Sequence, residues 1–217
     1  MKRPIRIVVA DDHPIFRQGL TRIVEGTDDV EVVGEAGDGR QALALIEERK
    51  PAIAVVDISM PVMDGLEVVE AARRMDLTCS FVVLTMFREE AYFSRAMDLG
   101  VLGYLLKDSA AEELVRCLRA VAEGKYFVSA GVSDLLVHRS SRQAALRSEH
   151  PSLSELTSME RKILRLLSEN RTSREIADLL GISIRTVQNH RAHICEKLGF
   201  EGHHRLLQFA LEHKSLL

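Results

Sequence analysis

Short apolar runs alternate with helix-length amphipathic segments through residue 123 of this 217-residue chain. Most of the runs are almost wholly apolar, as expected for strands that are buried on both faces of a parallel sheet. Between the runs, apolar residues recur at three- and four-residue spacing, which is typical of amphipathic helices. The sequence therefore predicts a doubly wound α/β domain with a five-stranded parallel sheet. The strands are predicted at Ile5–Ala10, Val30–Glu35, Ala52–Asp57, Phe81–Thr85 and Leu102–Leu106, and the helices at Pro14–Glu25, Gly39–Glu48, Leu66–Met75, Glu89–Leu99 and Ala111–Glu123.

The pattern changes after Gly124. Ser, Arg and His crowd the segment His138–Ser152, which lacks a sustained apolar period and is predicted to be an exposed linker, with a short helix near Ser133–Val137. From Leu156 onward we predict only helices, at 158–168, 173–180, 184–198 and 204–213. The short Gly-containing link between the second and third is typical of a helix-turn-helix. We therefore predict a first domain at 1–125, a linker at 126–152 and an all-α four-helix helix-turn-helix domain at 153–217.

Ser/Thr-x-x-Glu patterns predict where several helices begin, because such capping boxes satisfy the free N–H groups of the first turn. They occur at Ser109, Thr157 and Thr172, and Ser183 is a further predicted N-cap.

Charge and cysteine content limit the possible classes. Residues 1–125 carry 16 Lys+Arg against 22 Asp+Glu, whereas residues 126–217 carry 13 against 10. This asymmetry favours two domains with different partners, although the basic excess alone is too small to indicate nucleic acid.

Three scattered cysteines exclude a disulfide framework or a zinc ribbon. The apolar run Ile5–Ala10 is too short for a signal peptide or a membrane span, so we expect a cytoplasmic protein without membrane contact.

Polar side chains follow four predicted strands at their carboxyl ends, where ligands of open α/β sheets bind. Asp11 and Asp12 follow the first strand, Asp57 ends the third, and Thr85 and Lys107 mark the ends of the fourth and fifth. Three carboxylates in one crevice repel one another unless they share a cation, and oxygen ligands favour Mg²⁺. Each Asp taken alone could equally be a turn residue or a helix N-cap. Together the groups fit a Mg²⁺-dependent phosphoryl-transfer site with an Asp nucleophile.

Four stretches of the first domain resemble the response-regulator receiver domain, which has a flavodoxin-like fold. They are VVADDHP at 8–14, VDISMPVMDGLE at 56–67, LTM at 84–86 and GYLLKD at 103–108. The resemblance implies that a sensor histidine kinase phosphorylates Asp57 and that Lys107 binds the phosphoryl group. It also implies that Asp11, Asp12, Asp57 and the Ser59 backbone carbonyl hold Mg²⁺.

Two further residues are implied to act as a switch. By the same resemblance Thr85 would swing toward the phosphoryl group, and Tyr104 would follow it inward. Without the resemblance, Tyr104 is simply a half-buried aromatic residue of a strand.

The second domain resembles a LuxR-type helix-turn-helix over residues 154–214, so the whole chain resembles a response regulator of the NarL/FixJ type. The resemblance is carried by LTxxE at 156–160, SREIA at 173–177, LGIS at 180–183, TVxNH at 186–190 and IxxKL at 194–198.

The third predicted helix of this domain has two distinct faces. Val187, Ile194 and Leu198 share one face and should pack on the other helices. The opposite face is either merely solvated or, as the resemblance implies, enters the DNA major groove, where Gln188 and Asn189 can match adenine. Arginine and lysine side chains are candidates for phosphate contacts. We predict DNA contacts from Arg171, Arg174, Arg185, Gln188, Asn189, Arg191, Ala192 and Lys197.

His190 and His193, with Cys195 nearby, are not predicted to hold a metal ion. Their helical directions differ by about 60°, and no matching ligand cluster is evident elsewhere in the sequence.

The last predicted helix places Leu206, Leu207, Ala210 and Leu211 along one side. This stripe fits core packing, but the resemblance favours a homodimer, for which two-fold symmetric DNA sites are expected.

The sequence therefore predicts a bacterial transcription factor in which phosphorylation of Asp57 controls dimerisation and DNA binding. Two alternatives remain open. One is a phosphatase of the haloacid-dehalogenase kind, which would need an acid where Ser59 stands. The other is a DNA-binding protein that works independently of phosphorylation.

Overall fold

A computed structural model describes residues 3–214, apart from the side chains of Gln143 and Arg147. The chain divides into two compact units, Met1–Leu135 and Leu136–Leu217. The first unit contains a parallel sheet in the order β2-β1-β3-β4-β5-β6. Its strands are β1 (Ile5–Ala10), β2 (Val30–Ala36), β3 (Ile53–Asp57), β4 (Ser80–Thr85), β5 (Gly103–Leu106) and β6 (Phe127–Val128).

The sequence predicts the first five of these strands. The described sheet has a sixth, so the predicted count of five is one too low. The added strand β6 is only two residues long and pairs with the start of β5, through Gly103 and Tyr104. Two residues are too few to show an apolar period, which explains why the pattern missed it.

Helices cover both faces of the sheet, as a doubly wound fold requires. They are α1 (Pro14–Glu25), α2 (Gly39–Arg49), α3 (Gly65–Arg74), α4 (Glu90–Asp98) and α5 (Ala110–Ala122). Alternate residues of a strand point to opposite faces, so Val55 of β3 packs on the side of α1 and α5, whereas Val56 packs on the side of α2, α3 and α4.

The segment predicted to be an exposed linker is mostly helical, and the short helix predicted near Ser133–Val137 is part of a much longer one. A long helix, α6 (Ser133–Glu149), is followed by a 3-10 turn at Pro151–Glu155. Apart from Leu146, which is buried in the core of the second unit, most of the described side chains from His138 to Glu149 are exposed. Because few side chains of this segment are buried, its sequence shows almost no apolar period. Its Ala, Arg, Gln and Leu residues nevertheless favour a helix.

The remaining helices of the second unit match the predicted ones within a residue. They are α7 (Ser158–Ser168), α8 (Ser173–Leu180), α9 (Ile184–Leu198) and α10 (His203–Glu212). Their apolar faces form one core that includes Val187 and Ile194 of α9, as predicted. Within residues 3–214, none of the helices is long and apolar enough to cross a membrane.

Three of the four predicted caps are confirmed. Thr157 and Thr172 form complete capping boxes, and the Ser183 hydroxyl accepts from the N–H of Thr186. The capping box at Ser109 is wrong, because this side chain makes no cap bond and donates instead to Glu113 Oε2 at 2.9 Å.

Candidate functional site

The carboxyl ends of four strands bring five predicted polar residues to one edge of the sheet. Because β1 pairs with β3, β3 with β4 and β4 with β5, the residues that follow these strands are neighbours. Asp11, Asp57 and Thr85 are buried, whereas Asp12 is only partly so. Together with Lys107 they form what we call the Asp57 pocket.

Lys107 joins two of the three carboxylates. Its ammonium donates a hydrogen bond to Asp57 Oδ2 at 2.7 Å and lies 2.8 Å from Asp11 Oδ2. His13 Nδ1 lies 2.7 Å from Asp12 Oδ1. The pocket thus holds three carboxylates with a single lysine ammonium in contact with two of them.

Opposing effects set the charge of Asp57. Burial raises the pKa of Asp57, and Lys107 and the Ser59 backbone N–H only partly oppose the rise. Burial lowers the pKa of Lys107, but its bonds to Asp11 and Asp57 more than compensate, so the net shift is upward. Additional positive charge beside Asp57 would therefore favour its ionised form.

The residues of the pocket fit a divalent cation. Asp11 Oδ2 and Asp12 Oδ1 are buried, and among the described residues only the Lys107 ammonium contacts the former and the His13 ring the latter. Ligand atoms of Asp11, Asp12, His13 and Asp57 lie within 4.8 Å of one another. Buried carboxylate oxygens with free lone pairs are the ligands that hard cations prefer. Ser59 lies at the pocket too, because its backbone N–H bonds the Asp57 carboxylate.

Thr85 of the pocket and Tyr104 both bond the backbone of Phe87. The Thr85 hydroxyl accepts from the N–H of Phe87 at 2.9 Å, and the Tyr104 hydroxyl donates to the Phe87 carbonyl at 3.3 Å. Tyr104 is fully buried, with its ring edge-on to Phe93. It is therefore fully rather than half buried and already turned inward here, and its role as a switch stays a prediction.

Arg17 supports the pocket and was missed in the sequence. Its guanidinium donates to the Asp11 carbonyl at 2.5 Å and pairs with Glu35 at 3.2 Å. The signal was a basic residue near the start of α1, where the helix dipole disfavours positive charge. Such a residue indicates a specific partner.

The second unit presents an exposed polar face on α9. Arg185, Gln188, Asn189 and Ala192 are all exposed, as predicted, and the opposite face is buried. Arg171 and Arg174, which flank the start of α8, are exposed as well.

Two of the predicted phosphate contacts also have partners within their own unit. Arg191 donates to the Ser173 hydroxyl at 2.7 Å. Lys197 donates to Glu160 Oε2 at 2.7 Å and to the Glu155 carbonyl at 3.2 Å. Both side chains thus bond neighbouring elements of the same unit, and their contact with DNA stays a prediction.

Glu160 also approaches His190 and His193. One ligand atom of each residue lies within 4.8 Å of the others, so the structure supplies the third group that was not evident in the sequence. The Glu160 carboxylate already accepts bonds from the N–H of Thr157 and from Lys197. The Lys197 ammonium opposes a further cation at this place.

The leucine stripe of α10 divides into two pairs. Leu206 and Ala210 are buried in the core of their own unit, so the expectation that they meet a second copy is not compatible with this structure. Leu207 is partly exposed, and Leu211 is 45% exposed. These two residues remain accessible.

Comparison with known proteins identifies both units. Residues 7–119 match the family model of the response regulator receiver domain, and residues 154–210 match that of the bacterial regulatory proteins of the luxR family. The chain belongs to the NarL/FixJ-type response regulators. This confirms the predicted fold class and function, and it excludes the phosphatase alternative, because the family consists of transcription factors.

Some similar proteins align with almost the whole chain and not only with one of its domains. The transcriptional regulatory protein MctR of Rhizobium johnstonii is 34% identical, covering 98% of this chain and 96% of that protein. The receiver domain of NarL from Mycobacterium tuberculosis aligns with a TM-score of 0.56 at 40% identity, covering 57% of this chain and 100% of that one. A complex of the response regulator RcsB with DNA aligns with a TM-score of 0.59 at 30% identity, covering 97% of this chain and 98% of that one.

Proposed function

We propose that the response regulator accepts a phosphoryl group on Asp57 from a sensor histidine kinase and then binds double-stranded DNA as a homodimer. In this proposal the phosphoacceptor domain is 1–125, and the DNA-binding domain is 153–217, whose last three residues lie outside the described range. The observation that carries the proposal is the placement of Asp57, which is only 2% exposed and is bonded by Lys107.

The transfer itself needs a nucleophile and neutralised charge. An Asp57 carboxylate oxygen forms a bond to phosphorus as the phosphorus–nitrogen bond to the kinase histidine breaks, and the departing imidazole takes up a proton. Lys107 binds a phosphoryl oxygen and so compensates the charge that accumulates on the transferred group.

Mg²⁺ would be held by Asp11, Asp12, Asp57 and the Ser59 carbonyl. When bound, it supplies the additional positive charge that phosphoryl transfer requires. Thr85 would then bond the phosphoryl group, and Tyr104 would fill the space behind it. Because Tyr104 is already inward in this structure, the role proposed for phosphorylation is to favour this inward position over an outward one.

DNA contact is proposed for the exposed face of α9 and the start of α8. Gln188 and Asn189 can read adenine, Ala192 can contact a thymine methyl, and Arg185 can bind phosphate. Arg171 and Arg174 can add backbone contacts. Leu207 and Leu211 of α10 are proposed to meet their counterparts in the second copy, which predicts two-fold symmetric DNA sites.

The test is phosphoryl incorporation from acetyl phosphate, measured by intact-protein mass spectrometry with and without Mg²⁺. We expect one phosphoryl group on the wild type with Mg²⁺ and none on Asp57→Asn. Asp76→Asn makes the same chemical change at an exposed position and should behave as the wild type. Equal incorporation in wild type and Asp57→Asn would contradict the proposed acceptor.

A further inference from the structure

A cluster of buried polar side chains lies beside Lys107 and has no part in the chemistry proposed above. Ser129 is fully buried and Glu113 is 9% exposed, and they are joined by a hydrogen bond from the Ser129 hydroxyl to Glu113 Oε2. Ser109 donates to the same carboxylate oxygen at 2.9 Å. Buried carboxylates are costly unless they are hydrogen-bonded, so the three side chains depend on one another. We call them the Ser129 cluster.

The Ser129 cluster holds the backbone on both sides of Lys107. The N–H of Leu106 donates to the Ser129 hydroxyl at 3.0 Å. The Ser109 hydroxyl, whose single proton is donated to Glu113, lies 3.4 Å from the Leu106 carbonyl. Leu106 is the last residue of β5, and Lys107 opens the 3-10 turn that ends at Ser109. The residue before Lys107 is therefore held by Ser129, and the residue two positions after it, Ser109, is held by Glu113.

Further contacts bring the chain segment 129–131 against the same place. The Ser129 N–H donates to the Tyr104 carbonyl at 2.9 Å, which extends the pairing of β6 with β5. Gly131 lies so close to Leu106 that an added Cβ would come within 2.8 Å of its Cδ1 atom. The backbone and the side chain of Leu106 are thus both in contact with the segment that leads from the sheet into α6.

We propose that Ser129 is a positioning residue for Lys107, so that the segment leaving the sheet forms part of the phosphorylation site. The inference rests on the proposed function, because Lys107 must reach a phosphoryl oxygen for its placement to matter. A serine hydroxyl suits this role because it accepts from the Leu106 N–H and donates to Glu113 at the same time. Positioning effects are large, since a displacement of about 1 Å can cost roughly 100-fold in rate.

The experiment measures the rate of Asp57 phosphorylation by acetyl phosphate in the full chain at saturating Mg²⁺. We expect Ser129→Ala to slow the reaction roughly 10–100-fold. Gly131→Ala should slow it similarly, because its methyl group displaces the segment while every polar group of the Ser129 cluster is retained. Glu113→Gln keeps an acceptor for both hydroxyls and should retain most of the rate, whereas Glu113→Ala should not. Ser140→Ala, at an exposed position of α6, is the matched control.

A second readout separates positioning from general loss of structure. The proposed Mg²⁺ ligands are not bonded to the Ser129 cluster, so the Mg²⁺ affinity of Ser129→Ala, measured by calorimetry, should remain within about twofold of the wild type, which is well under 1 kcal/mol. A parallel loss of Mg²⁺ affinity and rate would overturn the proposal, as would a wild-type rate for Ser129→Ala. If the wild type itself accepts no phosphoryl group, the proposed function fails and this inference fails with it.

Discussion

Replacing Lys197 by Met should destabilise the second unit, and this tests the structural role that we assign to Lys197. Its ammonium lies 2.7 Å from Glu160 Oε2, and the two side chains are 31% and 4% exposed. Removing one partner of a fully buried pair costs about 3–5 kcal/mol, whereas an exposed pair contributes about 0–1 kcal/mol. Because Lys197 is partly exposed and Glu160 keeps its bond to Thr157, we expect the free energy of unfolding of the second unit to fall by about 1–3 kcal/mol.

The assay is urea unfolding followed by two probes. The chain has three tyrosines and no Trp, and all the tyrosines lie at or before residue 126, so tyrosine fluorescence follows the first unit alone. Far-ultraviolet circular dichroism follows the helices of both units. Lys197→Met should shift the dichroism transition of the second unit to lower urea while the tyrosine transition stays unchanged. Lys162→Met, at an exposed position of α7, should change stability by no more than about 0.5 kcal/mol.

A double variant and a pH series sharpen the test. Adding Glu160→Gln to Lys197→Met should restore part of the stability, because Gln can still cap α7 without a buried charge. Burial opposes ionisation of Glu160, but Lys197 and Thr157 hold its pKa below the usual value. The stabilisation by the Lys197–Glu160 pair is therefore fully present above about pH 4.3, the ordinary pKa of a glutamate. It is lost as the pH falls through the lower pKa that Glu160 has in the folded protein. If Lys197→Met leaves stability unchanged but lowers the salt dependence of DNA binding, Lys197 contacts phosphate and our reasoning is refuted.

Three further predictions concern the other surfaces. Arg185→Ala should weaken DNA binding and reduce the slope of log affinity against log salt by about 0.9, and an unchanged slope would exclude a phosphate contact. Leu206→Ala should cost about 2–5 kcal/mol of stability in urea unfolding. Leu211→Glu should leave stability nearly unchanged and reduce dimerisation in sedimentation. The reverse pattern would contradict our division of the leucine stripe of α10 into buried and accessible residues. Asp12→Asn should weaken Mg²⁺ binding in calorimetry by at least about tenfold, and wild-type affinity would remove Asp12 from the proposed ligands.

The sheet and the Asp57 pocket could be predicted because local pattern and topology agree there. The apolar runs of β1, β3 and β4 are short and alternate with amphipathic helices, which favours buried strands of a parallel sheet. Once the strands are parallel, the residues at their carboxyl ends must share one edge, so Asp11 and Asp57 come together without any knowledge of packing.

Side chains that bond across elements could not be predicted in this way. Lys197 lies on the same helix as the residues facing outward, and only the packing of α7 against α9 brings Glu160 to it. Ser109 has the spacing of a capping box, but tertiary contact with Ser129 and Glu113 overrides the local pattern. Glu160 lies 37 residues before Lys197 in the sequence, and Ser129 lies 20 residues after Ser109.

The helix α6 shows the opposite failure. It buries so little apolar surface that hydrophobic periodicity, the main signal for secondary structure, is almost absent. Helix propensity and the lack of internal Gly or Pro between Ser133 and Glu149 were the only local indications of a helix, and they were outweighed by the density of polar residues.

The most direct test of the account is the affinity of the full chain for DNA with and without phosphorylation. DNA selected from a randomised pool would be titrated with wild type and Asp57→Asn, each with and without acetyl phosphate and Mg²⁺. We predict that phosphorylation tightens binding of the wild type to two-fold symmetric sites and leaves Asp57→Asn unchanged. Equal affinity of phosphorylated and unphosphorylated wild type would show instead that this chain binds DNA independently of phosphorylation.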